Sequence, residues 1–179
     1  MSSIQACELP PGALLGRYLG GGAFADCYVT EIARPVTHAE YVSAFYTTPV
    51  FKLERLILKW LVSRPSTDAQ AQELASGTLD EFAAWGVESR STDQLLLSDF
   101  RGRTRSWLMI ENAEIDGAPG TRLYFGSAVV PVVDRKSGQA TLGYTFRALL
   151  GFHKLYSRVL LQAARRRLIQ CSAREETRA

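Results

Sequence analysis

The segment QLLLSDFRGRTRSWLMI, residues 94–110, decides the fold of this chain. Two runs of strand length, both rich in Leu, Trp or Ile, are separated by the dipeptide Arg101–Gly102. A connection this short joins antiparallel neighbours, because a parallel crossover needs a dozen or more residues. The segment therefore predicts a β-hairpin.

The two faces of this hairpin differ in polarity. A two-residue turn pairs Ser98 with Arg105 and Leu96 with Trp107 on one face. The other face is more apolar, and we expect it to point at the C-terminal helix. A slip of one residue in the register would exchange the faces, so the face that lines a cavity stays open. The more apolar face carries Leu95, Leu97, Asp99, Thr104, Ser106 and Leu108.

Further strands are predicted on both sides of the hairpin. An alternating segment at residues 23–33 predicts a first strand, which Pro35 ends. Later in the chain, short turns rich in Gly, Asp and Ser separate successive strand patterns, which predicts a β-meander. The four strands of this meander are predicted at 81–90, 94–100, 103–114 and 121–132.

Two helices between the first strand and the meander have recognisable ends. Thr37 followed by Glu40 has the pattern of a capping box, which predicts a helix start. Ser66 is the predicted cap of a second helix, and Gly77 is its predicted end.

Two longer stretches also have helical spacing. They are PVFKLERLILKWLV, residues 49–62, and the segment 142–168 near the end of the chain. The predicted order is a strand, two or three helices, a four-stranded meander and a long C-terminal helix, which is an α+β fold. We expect one domain over residues 23–169, an irregular segment at 1–22 and a frayed tail at 170–179.

This order of elements resembles the helix-grip fold of START-like proteins, which include polyketide cyclases, lipid-transfer domains and plant allergen-type carriers. The resemblance covers about residues 23–168 as an order of elements and not as a shared motif. The ending LGFHKLYSRVLLQAARRRL, residues 150–168, also looks like the ending of an uncharacterised bacterial family of this fold. The resemblance implies an antiparallel sheet that grips a long C-terminal helix, with a cavity between them.

The sequence partly matches three functional motifs but completes none of them. RYLGGGAFADCYVT, residues 17–30, is similar to the glycine-rich loop of a protein kinase, but the chain has no His-Arg-Asp and no Asp-Phe-Gly. The glycines also precede a predicted strand, whereas a dinucleotide-binding turn precedes a helix. Ser127, in FGSAVV, lacks the second glycine of a nucleophile elbow and is interpreted as a strand serine.

Two polar residues occupy apolar helix faces. His153 lies between Leu149 and Tyr156 in the C-terminal helix, and Glu54 lies among the apolar residues of segment 49–62. In a solid core each would need a hydrogen-bonding partner, whereas beside a cavity each would orient a ligand. Both interpretations stay open, as does a contact between Asp99 and His153. The candidate ligand-binding residues are His153, Glu54, Asp99, Tyr156, Leu149 and Trp107, and none is assigned as catalytic or as a metal ligand.

The resemblance to START-like proteins implies a non-enzymatic binding protein that holds a small hydrophobic molecule or lipid between the sheet and the C-terminal helix. One alternative is a cyclase- or hydratase-type enzyme on the same scaffold, with His153 as a general acid or base tuned by Glu54 or Asp99. Another is a membrane-surface or protein-interaction module that uses the helix at 49–62.

Composition limits the remaining classes. A net charge of +3, three widely spaced Cys and two His predict free thiols, with no metal site and no cofactor. The cations of RRRL, residues 165–168, suit a helix C-terminus better than a nucleic-acid interface.

The chain shows neither a secretory signal nor a long apolar run, which predicts a cytoplasmic protein with no integral membrane segment. The strand that begins at Ala23, if it lies at a sheet edge, would support a homodimer.

Overall fold

The computed structural model describes residues 3–20, 23–53, 66–133, 140–141 and 144–176. Seven strands form one antiparallel sheet: β1 (Gln5–Ala6), β2 (Phe24–Ile32), β3 (Glu81–Phe82), β4 (Trp85–Arg90), β5 (Gln94–Asp99), β6 (Thr104–Ile115) and β7 (Ala118–Val129). Their order across the sheet is β1-β2-β7-β6-β5-β4-β3. Strands β8 (Val132–Val133) and β9 (Ala140–Thr141) form a separate antiparallel pair.

Helices cover one face of this sheet. They are α1 (His38–Tyr46), α2, whose described part is residues 49–53, α3 (Asp68–Ser76) and α4 (Tyr144–Glu176). The prediction of an α+β fold, with an antiparallel sheet packed against a C-terminal helix, is confirmed. The arrangement is compatible with a helix grip.

The hairpin of β5 and β6 has the predicted register. Leu96 pairs with Trp107 and Ser98 pairs with Arg105 across the two strands. Gly102 adopts a φ of 66°, in the left-handed region that glycine enters without strain. The prediction that both pairs lie on the face away from the C-terminal helix is also confirmed, because Trp107 and Leu96 are buried in a separate cluster from the helix-facing core.

The next hairpin has a shorter turn than the sequence suggested. Ile115 pairs with Ala118, so only Asp116 and Gly117 form the turn, and both have positive φ values of 54° and 79°. An Asp-Gly pair favours this type I′ geometry, whose twist matches that of the strands. Strand β7 therefore begins at Ala118, three residues before its predicted start.

Capping fixes the starts of two helices. Thr37 Oγ1 accepts a hydrogen bond from Glu40 N, and Glu40 Oε2 accepts one from Thr37 N, which confirms the predicted capping box of α1. Helix α3 begins one residue later than predicted, because Thr67 rather than Ser66 forms the box. Gly77, at a φ of 83°, ends α3 as predicted. Of the predicted helix at 49–62, residues 49–53 are helical and the others lie outside the described residues.

The helix-facing core is rich in aromatic rings. Leu97 and Leu108 of the central hairpin are fully buried against it, and Leu161 of α4 closes it from above. Its rings pack mainly edge-to-face or tilted, at centroid distances of 4.8–6.2 Å, which is the favoured geometry for aromatic pairs. These rings belong to Tyr41, Phe45, Tyr46, Phe51, Phe82 and Phe125.

The N-terminal residues cover the opposite face, which the sequence did not predict. Their described part contains two short regular elements, β1 and a 3-10 helix at Leu14–Tyr18, within the segment that was expected to be irregular. The 3-10 helix inserts Leu15, which is fully buried, over the sheet. We call residues 7–18, whose apolar side chains pack on this face, the N-terminal cover.

Two further boundaries differ from the predictions. Helix α4 continues to Glu176, through most of the tail that was expected to fray, because residues 169–176 contain neither Gly nor Pro. Strand β2 lies between β1 and β7, so it is not the outermost strand on which the homodimer prediction depended. Within the described part of the chain, no helix combines the length and hydropathy needed to cross a bilayer.

Candidate functional site

A polar pair lies on the helix-facing side of the sheet, near the start of β2 and the end of β7. Asp26 of β2 is directly opposite Ser127 of β7. Alternate residues of a strand share a face, so Asp26 lies on the same face as Phe24 and Tyr28. Ser127 Oγ donates a hydrogen bond to Asp26 Oδ1 at 2.6 Å.

His153 of α4 completes this group from above. Its Nε2 lies 2.7 Å from Ser127 Oγ and 3.7 Å from Asp26 Oδ2. We call Asp26, Ser127 and His153 the Asp26 cluster. Its members come from two neighbouring strands and the C-terminal helix, which is the layer where the sequence predicted a ligand.

The hydrogen bonds assign a direction to each proton. An ionised carboxylate only accepts hydrogen bonds, so the single hydroxyl proton of Ser127 points to Asp26. Ser127 Oγ must then accept from His153, which places a proton on Nε2. The arrangement therefore differs from an acyl-transfer triad, in which the imidazole accepts the serine proton and a carboxylate binds the other ring nitrogen.

The cluster is largely shielded from water. Ser127 retains 3% of its accessible surface, and the Asp26 side chain retains 9%. The ring of Phe24 makes an edge-to-face contact with His153, with centroids 6.2 Å apart. Burial, together with the nearby Asp26 carboxylate, raises the pKa of Tyr28 to about 12. Tyr28 thus remains a neutral phenol at neutral pH.

One acceptor in this cluster is left without a hydrogen bond. Asp26 Oδ2 is buried and accepts no hydrogen bond within 3.5 Å from the described residues, and its neighbour His153 Nε2 stands at 3.7 Å. A buried polar atom in this condition costs about 1–3 kcal/mol, and more when it is charged. A bound molecule with a hydroxyl, amide or ammonium donor would remove that cost.

More hydroxyl groups lie beside the cluster. Ser106 of β6 is opposite Ser127, so the two strands place both hydroxyls on one face. The hydroxyl of Tyr46 lies 3.3 Å from Ser106 Oγ, and Ser157 is buried one turn after His153 in α4. Several buried hydroxyl groups therefore lie in the same otherwise apolar layer as the Asp26 cluster.

The predicted site residues are distributed over several places. His153 belongs to the Asp26 cluster, and Tyr156 packs at the margin of the helix-facing core. Glu54 lies outside the described residues, as does the side chain of Leu149, whose backbone is part of α4.

Asp99 and Trp107 have roles away from the cluster. Asp99 Oδ1 accepts hydrogen bonds from the backbone N–H groups of Arg103 and Thr104 at 2.6 and 2.9 Å, so it stabilises the hairpin turn. Its strand is three strands from β2, a separation of about 14 Å. Trp107 lies on the opposite face and donates from Nε1 to Gln94 Oε1 at 2.9 Å.

The sequence analysis did not identify Asp26 as a site residue, although the strand pattern contained the information needed to do so. With Phe24 and Tyr28 assigned to the core, the period of two places Asp26 on the core side as well. Ser127 was correctly placed in a strand, but its position opposite Asp26 depends on pairing between residues 101 positions apart. Local patterns contain no information about that pairing.

Comparison with known proteins adds no assignment: a scan against family models and a search of curated proteins both find no match.

Proposed function

We propose that the protein binds a small hydrophobic or amphiphilic molecule between the sheet and α4, in the manner of START-like binding proteins. The observation that carries the proposal is the buried Asp26 Oδ2, which lacks a hydrogen bond among the described residues. The ligand supplies a donor to this oxygen, and its apolar part contacts the surrounding rings.

The surroundings of the cluster support this assignment. Small-molecule sites are mostly apolar, with a few polar groups that fix the orientation of the ligand. The Asp26 cluster has this composition, since Phe24 contacts His153 and the aromatic core adjoins it. The order of elements, with an antiparallel sheet against a long C-terminal helix, is the order that START-like proteins share.

Native mass spectrometry of the purified protein, followed by organic extraction, tests the proposal. We expect a bound species that an Asp26→Asn variant loses, because the amide nitrogen replaces one acceptor and the charge disappears. Hydrogen bonds to charged groups contribute about 1.5–3 kcal/mol, so retention should fall about 10- to 150-fold.

Asp99→Asn is the matched control. It removes the same charge from a turn outside the cluster and keeps an acceptor oxygen for the turn. Equal loss of the ligand from both variants would place the site elsewhere. A wild-type protein with no bound species and no saturable affinity for a panel of amphiphilic alcohols and amines would contradict the proposal.

A second candidate is an enzyme of cyclase or hydratase type on the same site. The observation that favours it is the position of His153, whose Nε2 lies 2.7 Å from the Ser127 hydroxyl and so places an acid–base group at the cluster. Incubation of the extracted ligand with wild-type protein and with His153→Gln separates the two functions. An enzyme converts the ligand only when His153 is present, whereas a binding protein returns it unchanged in both cases.

A further inference from the structure

A second candidate site lies on the exposed side of α4, apart from the Asp26 cluster. A groove of about 610 Å³ is bounded there by α4, by the first residues of α2 and by Ile4. Three arginines line it, namely Arg158, Arg166 and Arg167, together with Val159. No Asp or Glu is among its lining residues.

The positive charge extends along the helix. Residues 153–172 of α4 contain five Lys or Arg residues and no Asp or Glu. The guanidinium of Arg158 lies over the ring of Tyr28 at 5.4 Å, a cation–π contact that leaves the side chain positively charged. Because the described lining of the groove contains no acidic side chain, it attracts anions, and arginine binds phosphate groups through paired N–H donors.

Exposed apolar side chains share this side of the helix. Leu155, Val159 and Ile169 are 61%, 41% and 43% exposed. At 100° per residue they fall within about 80° of one another, with Arg166 between them. The helix therefore presents one stripe that is both apolar and basic.

We propose that this stripe, with the groove beside it, binds the surface of a bilayer that contains anionic phospholipids. Interfacial helices combine the same two properties, because aliphatic side chains enter the acyl boundary while cations remain at the headgroups. The arginines of the groove bind lipid phosphate. A nucleic-acid surface would not explain the exposed aliphatic residues, and a second copy of the chain would bring two basic stripes together. The inference is independent of ligand binding at the Asp26 cluster.

Flotation of the full chain with vesicles tests the inference. Vesicles of phosphatidylcholine alone are compared with vesicles that also contain phosphatidylglycerol, at near-physiological salt. We expect binding only to the anionic vesicles. Each cation near such a surface contributes about 1 kcal/mol, so the double variant Arg158→Gln/Arg166→Gln should bind about 30-fold more weakly.

Two further variants make the result specific. Leu155→Gln/Ile169→Gln keeps every charge and should also weaken binding, which a purely electrostatic attraction would not show. Arg101→Gln/Arg103→Gln removes two exposed cations from the hairpin turn, and it should bind like wild type. All four positions of the stripe variants are exposed, so circular dichroism should show an unchanged fold.

Three results would overturn the inference. They are absence of binding to anionic vesicles, an equal loss in the hairpin-turn control, and a wild-type dimer that the Leu155/Ile169 variant converts to a monomer. Binding of duplex DNA that depends on Arg158 and Arg166, without vesicle binding, would likewise replace the membrane with a nucleic acid.

Discussion

Gly126 occupies a point where three parts of the molecule converge. A β-carbon at this position would lie 2.8 Å from Leu15 Cδ2, 2.9 Å from Trp107 Cε3 and 3.0 Å from the carbonyl oxygen of Asp26. Contacts this short do not occur between real β-carbons and their neighbours. The missing side chain thus allows Leu15 of the N-terminal cover to reach the sheet beside Trp107.

Gly126→Ala should therefore destabilise the protein. Overpacking a dense core costs about 1–3 kcal/mol, and we expect a loss of that size in the free energy of unfolding. Denaturant unfolding measures it. Gly86→Ala is the matched control, because Gly86 is also in a strand and its nearest neighbour, the Asp80 oxygen, would be 4.0 Å away. Equal losses in both variants would show that strand glycine alone, and not the contact with Leu15, determines the effect.

The surroundings of a single residue could be predicted from the sequence only where the strand pattern showed which face of the sheet the residue lies on. The period of two placed Leu97 and Leu108 on the helix side and Trp107 on the other. It did not identify the partners of His153, because Asp26 and Ser127 reach it through tertiary pairing. Asp99, which was a candidate partner of His153, instead accepts hydrogen bonds from two backbone N–H groups of the hairpin turn that follows it.

At the scale of elements, short-range signals determined the boundaries. The capping boxes of α1 and α3 and the Asp-Gly turn between β6 and β7 each involve residues within four positions. The N-terminal cover has no comparable local signal. Its 3-10 helix is attached by Gln94 of β5, which accepts from Leu14 N at 2.8 Å and donates to Gly12 O at 3.2 Å.

Gln94→Met should detach this element. The substitution keeps the length of the side chain but leaves the N–H groups of Leu14 and Trp107 without an acceptor, at about 1–3 kcal/mol for each. We expect faster hydrogen exchange of the Leu14 amide and a lower free energy of unfolding. Gln72→Met, on the exposed side of α3, should change neither quantity. Unchanged protection of Leu14 in Gln94→Met would show that apolar contacts of Leu15 suffice to hold the cover.

At the scale of the whole molecule, the sheet is enclosed from both sides. The order of elements predicted the helical layer, because helices and strands alternate in blocks along the chain. The second covering layer was not predictable, since Leu14 and Gln94 are 80 residues apart and the cover has no regular period. Cover on both faces at β5 also explains why its residues Leu95, Leu96 and Leu97 form a continuous apolar run rather than an alternating one.

Stability of the whole fold should depend on pH through His38. Burial lowers the pKa of this residue below its usual value of 6.5; a hydrogen bond with the Leu108 backbone and the Asp93 charge oppose this shift, and Arg90 assists it. The unfolded chain therefore binds the proton more tightly than the folded protein. The stabilisation is complete above about pH 6.5 and is lost as the pH falls through the folded-state pKa.

His38→Gln should reduce this pH dependence, because glutamine does not titrate. Free energies of unfolding at about pH 7.5 and about pH 5.5 measure it, and each unit of pKa depression corresponds to about 1.4 kcal/mol. The variant should show a smaller difference between the two values than wild type. If the free energy of unfolding changed equally between the two pH values in wild type and in His38→Gln, groups other than His38 would cause the acid sensitivity.

Both edges of the sheet end in strands of two residues, and this has a consequence for solubility at high concentration. β1 pairs with β2 only at Tyr28 and Val29. Two further backbone acceptors along β2 are also occupied. Cys27 O accepts from Cys7 N, and Glu31 O accepts from Arg165 Nε at 2.9 Å. Aggregation by edge-to-edge strand addition needs a long row of unpaired backbone groups. The guanidinium of Arg165 places a positive charge on that row, where an incoming strand would have to displace it. The C-terminal helix thus protects the sheet against amyloid-like stacking as well as packing against it.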